Sequence, residues 1–278
     1  GIYTKYRDYQ PRCWHYTDYH TGHGWVDVSG AIEKSCNYFF YETGDRMGID
    51  KLVEIARYFG LGNKTRIELQ GETAGVLASR EAKSKMHPDD PNWNPGNTLN
   101  AVIGQGDNEF TPLQMAKYIS MLANGGKRMN VSLVKTIRNA DGSEVSREDI
   151  NQFINKKLGL ENDNVGDIPI NQGYLNAVLE GMKSVTSDTG GTAYVRFKDF
   201  NISVGGSAEA PNNKVHAWFV GFAPFENPEI AIVVMVENGG HGNYTAEVVR
   251  DIMTEYFGMN TQNIEEDMGA IPYIEIMR

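Results

Sequence analysis

The run Ile230-Ala-Ile-Val-Val-Met-Val236 constrains the fold of this chain more than any other segment. It is apolar throughout and does not alternate, which predicts a strand covered on both faces. Two further strands are expected just upstream, Ile202-Ser-Val204 and Ala217 to Phe222, separated by Pro- and Asn-rich turns. Earlier in the chain the period is helical. From Ala31 to Phe59 the pattern reads as helix, with Ile49, Leu52, Val53, Ile55, Ala56 and Phe59 at 3–4 spacing and Gly60-Leu-Gly62 as its stop. Thr111-Pro-Leu-Gln-Met115 opens another helix, Thr as N-cap and Pro at N1, running to Ala123 before Asn124-Gly-Gly126. Tyr174 to Thr186 and Thr245 to Phe257 are also read as helices. Residues 1–30 read as irregular, 71–98 as a long loop, and 131–145 as a hairpin about Asp141-Gly142. Helices and then antiparallel strands make an α+β fold, a sheet flanked by helices.

A chain of 278 residues holds one large domain or two modest ones. Its net charge of −10 argues against nucleic acid as a partner. No run approaches the ~18 apolar residues of a membrane span, and no signal peptide opens the chain. The first residues, Gly1-Ile-Tyr-Thr-Lys-Tyr6, read as the interior of a domain. The sequence is therefore expected to be part of a longer protein, with any membrane anchor upstream. Residues 1–260 are read as one domain and 261–278, acidic and then apolar, as a tail. The two cysteines, Cys13 and Cys36, allow one disulfide or a pair of metal ligands.

Ser35-Cys-Asn37 stands at the head of the apolar stretch ending at Tyr41. Residues i and i+2 do not share a helix face, so Ser35 and Asn37 can meet one ligand only at a turn. Ser-x-Asn alone is usually a helix cap. It gains weight from three downstream segments in a fixed order: Ile103-Gly-Gln-Gly106, Thr111-Pro-Leu-Gln-Met115, and His216-Ala-Trp-Phe-Val-Gly-Phe-Ala-Pro224. From about Gly22 to Gly258 this ordered set resembles the transpeptidase domain of class B penicillin-binding proteins, in the elongation-type branch or its sporulation relatives. The resemblance implies the penicillin-binding-protein/β-lactamase-like fold, incomplete on its N-terminal side and with an all-helical subdomain. It implies serine-type D,D-transpeptidation of peptidoglycan stem peptides, with β-lactam antibiotics as substrate mimics. It further implies the extracytoplasmic face of a bacterial membrane and a cell-wall polymerase as membrane partner.

Acyl transfer needs a nucleophile, a base, a proton carrier and an oxyanion hole. In the family resembled, Ser-x-x-Lys supplies the first two, Ser-x-Asn the third, and a Lys-(Thr/Ser)-Gly strand binds the substrate carboxylate. Carried onto this chain, Ser35 relays protons and Asn37 holds the substrate amide. The sole Ser-x-x-Lys is Ser132-Leu-Val-Lys135, which comes after Ser35 where the family's nucleophile precedes it. Ser132 is not expected to be catalytic, and the nucleophile is expected outside this sequence. The third motif also departs. Ser203-Val-Gly-Gly-Ser-Ala-Glu209 puts Val204 and Gly205 where Lys and Thr belong. Val204, Gly205, Gly206, Ser207 and Ala208 are the expected substrate-binding strand, its small residues allowing close backbone approach. The lost lysine leaves a second reading open, a non-catalytic scaffold of a cell-wall complex. A β-lactamase or β-lactam sensor ranks last.

Cysteines and histidines crowd the first 36 residues. Thiols and imidazoles at this reach suit a tetrahedral zinc site, against the plainer reading of free or disulfide-bonded cysteines. The resemblance implies Cys13, His23 and Cys36 as zinc ligands. The fourth would come from before Gly1 or from His15, His20 or Asp18.

Overall fold

The computed structural model describes residues 1–158, 168–209, 216–239 and 242–259. The tail 261–278 and His241 lie outside these. Among the described residues are eleven helices and one three-stranded sheet. The irregular opening holds one short helix, α1 (Trp14–Tyr19). The stretch read as a single helix from Ala31 to Phe59 is instead three: α2 (Val28–Glu33), α3 (Asn37–Met47) and α4 (Ile49–Tyr58). Two left-handed residues break it. Ser35 has φ 48° and Gly48 has φ 78°, neither compatible with continued helix. Gly60, at φ 81°, stops α4 as expected.

The segment 71–98 is not a continuous loop. It contains α5 (Arg80–Met86) and the start of α6 (Pro95–Val102). Ser79 caps α5 by accepting from the Ala82 N–H, and Asn94 with Asn97 forms a capping box on α6. The Pro, Asn and Ser that signal a loop are also the residues that start helices. α7 (Pro112–Ala123) begins at Thr111 as the sequence predicts. The hairpin at 131–145 reduces to one bridge, Arg138 to Glu144, with the Val145 N–H donating to the Ile137 carbonyl at 2.8 Å. Three further helices come next: α8 (Arg147–Leu158), α9 (Gln172–Ser187) and the short α10 (Tyr194–Phe197).

The sheet consists of β1 (Gly205–Glu209), β2 (Ala217–Ala223) and β3 (Ile230–Val236), antiparallel in that order. The first strand thus starts after, not within, Ile202–Val204. Val204 is only 2% exposed, and its carbonyl accepts the Thr186 hydroxyl at 2.5 Å, so it is fixed before the ladder begins. α11 (Gly242–Tyr256) covers one face of the sheet, where Phe219 and Ile232 pack with Val249 and Met253. On the other face Val220 and Phe222 pack with Ile119 and Leu122 of α7 and Leu175 and Met182 of α9. β3 is therefore covered on both faces. It is nonetheless an edge strand among the described residues, and β2 is the centre.

The helices α3 to α6 form their own small cores, Ile49, Val53, Ala78 and Ala101 in one, Tyr3, Tyr41 and Leu99 in another. α3 and α6 approach so closely that a Cβ on Gly44 would lie 2.6 Å from the Val102 side chain.

Candidate active site

Ser35 and Asn37 stand at the α2–α3 junction because the chain must reverse there. The Cys36 N–H returns to the Ala31 carbonyl at 2.8 Å, and the Ser35 N–H to Ile32 at 3.1 Å. Trp14 clamps the turn from outside, its indole N–H donating to the carbonyls of Lys34 and Ser35, both at 3.0 Å. The result turns Ser35 and Asn37 into one cleft of about 520 Å³, although they are two residues apart. Both are half-buried, and the Ser35 hydroxyl has no hydrogen-bond partner among the described residues. Asn37 also hydrogen-bonds Tyr41 one turn on; burial pushes the Tyr41 hydroxyl up to about 12 despite that bond.

The other walls of the cleft are supplied by Gly104, by Tyr118 and Leu122 of α7, by Met182 of α9, and by Trp218 and Val220 of β2. Gly104, from the Ile103-Gly-Gln-Gly106 turn, has φ 77°, a conformation other residues rarely hold. Asn108 secures that turn. Its amide donates to Ala101 at 3.0 Å and Gln105 at 3.3 Å and accepts from the Ala78 N–H at 3.0 Å. Trp14 and Asn108 were not singled out from the sequence, although Asn108 closely follows the Ile103-to-Gly106 turn; Trp218 lies within the His216-to-Pro224 segment that carried the resemblance.

The expected substrate strand divides in two. Val204 is in the core. Gly205 and Gly206 are buried in β1, and their lack of Cβ has a packing cause: an added Cβ would meet the Phe222 ring or the Phe219 ring at 2.5 Å. Ser207 and Ala208 continue β1 opposite Val220 and Phe219. The outer edge of β1 carries no partner strand among the described residues. Ser132 lies away from the cleft, its hydroxyl donating to Glu68 and to the Val134 carbonyl. His216 is exposed and accepts the Asn238 N–H at 3.4 Å.

Below the same turn, the ligand atoms of Cys13, His23 and Cys36 all lie within 4.8 Å of one another. Cys13 Sγ and His23 Nδ1 are 3.5 Å apart, both thiols are buried and free, and His23 Nε2 is buried without a partner. The neighbouring Cys36, then His23, hold the Cys13 thiol down against burial, while the same contact and burial push Cys36 up. Two sulfurs and an imidazole form a donor set that fits zinc. His15, His20 and Asp18 are not in this group. The His15 ring instead packs against His23 at a tilt of 47°, with ring centroids 4.5 Å apart, and bonds the Thr21 carbonyl.

The chain belongs to the penicillin binding protein transpeptidase domain family, whose model matches residues 3–254. It is 31% identical over 265 residues to the peptidoglycan D,D-transpeptidase MrdA of Haemophilus influenzae, covering 88% of this chain and 38% of that protein. The Pseudomonas aeruginosa PBP2 structure superposes with a TM-score of 0.76 at 34% identity, over 92% of this chain and 52% of that one. A chain of a peptidoglycan synthase complex that coordinates polymerization and crosslinking gives 0.71 at 28% identity, over 95% and 41%. The chain thus spans roughly half or less of the relatives it matches. The elongation-type assignment and the α+β fold stand.

Proposed function

We propose that this chain carries the proton-relay and substrate-holding half of a serine-type peptidoglycan D,D-transpeptidase. The observation that carries the reading is the convergence of Ser35 and Asn37 on one cleft, enforced by the left-handed Ser35 and the Trp14 clamp. The Ser35 hydroxyl passes protons between base and leaving group, and the Asn37 amide holds the stem-peptide amide. The outer edge of β1, from Gly205 to Ala208, takes the substrate backbone as an added strand. Residues 1–34 hold no Ser-x-x-Lys, so in this proposal the nucleophile and its base are not residues of this sequence. β-Lactams enter the same cleft as mimics. The site works at the extracytoplasmic face of the membrane beside a cell-wall polymerase, a setting supported by the likeness to the synthase complex. No helix among the described residues is long and apolar enough to cross a membrane.

Cys13, His23 and Cys36 would hold one Zn²⁺. Its chemistry is structural, binding both thiolates and so fixing the backbone on either side of Cys36. A second reading, a non-catalytic scaffold, is favoured by Val204 and Gly205 standing where the family has Lys and Thr.

The test uses a β-lactam and the chain alone. Ligand-observed NMR is expected to detect reversible binding that Asn37→Ala weakens, and intact mass to detect no adduct. A stoichiometric adduct would place the nucleophile inside these residues. Absence of any binding would favour the scaffold.

A further inference from the structure

The turn Ser35-Cys36-Asn37 divides two concavities. Ser35 and Asn37 line the cleft, while Cys36, between them, lines a second cavity of about 610 Å³. The division continues along α3. Phe40 lines the cleft, and Tyr38, Glu42 and Arg46 line the second cavity. Residues 22–26 supply most of its remaining wall. The buried Cys13 and Cys36 lie at its base, and exposed aromatic and charged side chains form its mouth.

Trp25 is the most exposed large apolar side chain among the described residues, with its whole surface open to solvent. It makes no ring contact or hydrogen bond with any of them. An indole left wholly in water carries a hydrophobic cost that core packing does not explain. Nor is it a metal ligand, so the Cys13, His23 and Cys36 group does not account for it. The exposed Tyr38 lines the same cavity. Beside it stand Glu42 and Arg46, one turn apart on α3, with Arg46 Nε donating to Glu42 Oε1 at 2.6 Å. Arg46 Nη1 has no partner among the described residues. Trp, Tyr and Arg are the side chains that dominate recognition sites, because each joins a broad apolar face to a polar edge.

We propose that the mouth of this cavity is a carbohydrate subsite for N-acetylated hexosamine units. Trp25 is its stacking platform, Tyr38 a second aromatic contact, and Glu42 with Arg46 its polar pair. A pyranose ring turns C–H bonds of slight positive charge to one side, which suits the negative face of an indole. Its acetamido group offers one N–H to the Glu42 carboxylate and one carbonyl to the Arg46 guanidinium. The volume falls within the roughly 300–1,000 Å³ of small-ligand sites. A sugar on one side of the Ser35–Asn37 turn and a peptide on the other are the two parts of one glycan strand bearing stem peptides. Naming that strand as peptidoglycan rests on the function proposed above; the sugar chemistry does not.

Titration of chitotriose into the 278-residue chain, followed by calorimetry and indole fluorescence, tests it. Saturable one-to-one binding with a fluorescence change is expected. Trp25→Ala, which touches no core contact, should weaken binding about tenfold and remove the fluorescence change. Trp25→Phe should recover part of the affinity. Cellotriose, which lacks acetamido groups, should bind several-fold more weakly than chitotriose, and Arg46→Ala should narrow that difference. Tyr174→Ala, an exposed ring on α9 outside the lining, is the control and should change nothing. The proposal is overturned if wild-type chain gives no saturable signal, if Trp25→Ala binds as wild type does, or if cellotriose binds as tightly as chitotriose. Loss of chitotriose binding with β-lactam binding intact rejects the sugar subsite alone. Chitotriose binding without β-lactam binding rejects the reading of the cleft and leaves the subsite standing.

Discussion

Glu68 is half-buried, and burial by itself would raise its pKa. Hydrogen bonds from the Ser132 hydroxyl and the Leu133 N–H outweigh that and hold the carboxyl at about 2, against an ordinary 4.5. A depressed folded-state pKa contributes stability that is fully present above the unfolded value and is lost as pH falls through the folded one. The window here runs from 4.5 down to about 2. Glu68→Gln should therefore lower the urea midpoint above roughly pH 5, and the two proteins should converge by roughly pH 2. Midpoints that stay a constant distance apart across that range would remove Glu68 as the cause. At this scale the sequence was a partial guide. It placed Ser35, Asn37, Cys13, His23 and Cys36 together by motif, but began the substrate-binding strand at Val204, one residue before β1 starts. Burial of one side chain and the use of its carbonyl by Thr186, 18 residues away, leave no local trace.

Among the elements, α7 is tied to the loops at Asn63 and Ala74 through one buried amide. Gln114 is 2% exposed. Its Nε2 donates to the carbonyls of Asn63 at 2.7 Å and Ala74 at 2.8 Å, and its Oε1 accepts the Thr111 N–H at 2.8 Å. Gln114→Ala would strand three backbone groups and should cost about 2–4 kcal/mol. Thr111→Ala removes only the cap and should cost about 1 kcal/mol. Chemical denaturation ranks the two, and a cap mutant less stable than the Gln114 mutant would mean the bridging carbonyls find other donors. The cap itself was legible, because Thr-Pro-Leu-Gln places every capping residue within one turn of sequence. Of the two breaks that divide Ala31–Phe59, the turn at Ser35 was signalled only by the Ser-x-Asn motif, and the one at Gly48 was not read, since hydrophobic period does not report φ.

For the whole molecule, the first 27 residues have few aliphatic side chains, and two small buried groups hold them to the rest: Tyr3 against Tyr41 and Leu99, and Cys13 against Ala31 and Cys36. A metal there would contribute stability that packing cannot. Protein purified without added metal is expected to hold about one Zn²⁺ per chain by elemental analysis. Cys36→Ser should release it and lower the melting temperature. A Cys13–Cys36 disulfide in metal-free wild type, found by non-reducing mass mapping, would end the zinc reading.

The sequence by itself determined the helix-then-strand order, the α7 cap, the second and third strands and the family motifs, because periodicity, capping and turn chemistry act over a few residues. Tertiary structure alone decided the rest. β3 reads as a strand covered on both faces, and it is. That among the described residues it stands at an edge, with β2 between the other two, was not readable, since an apolar run reports covered faces and not which edges are paired. Gly205 and Gly206 read as residues that let a ligand backbone approach, and only the packed sheet adds that their missing Cβ atoms make room for Phe222 and Phe219 on the neighbouring strand. The cavity beside α3 brings Trp25 to Tyr38, Glu42 and Arg46. No local pattern joins them, because their proximity arises only when Val26 and Phe39 pack around Cys13 and Cys36.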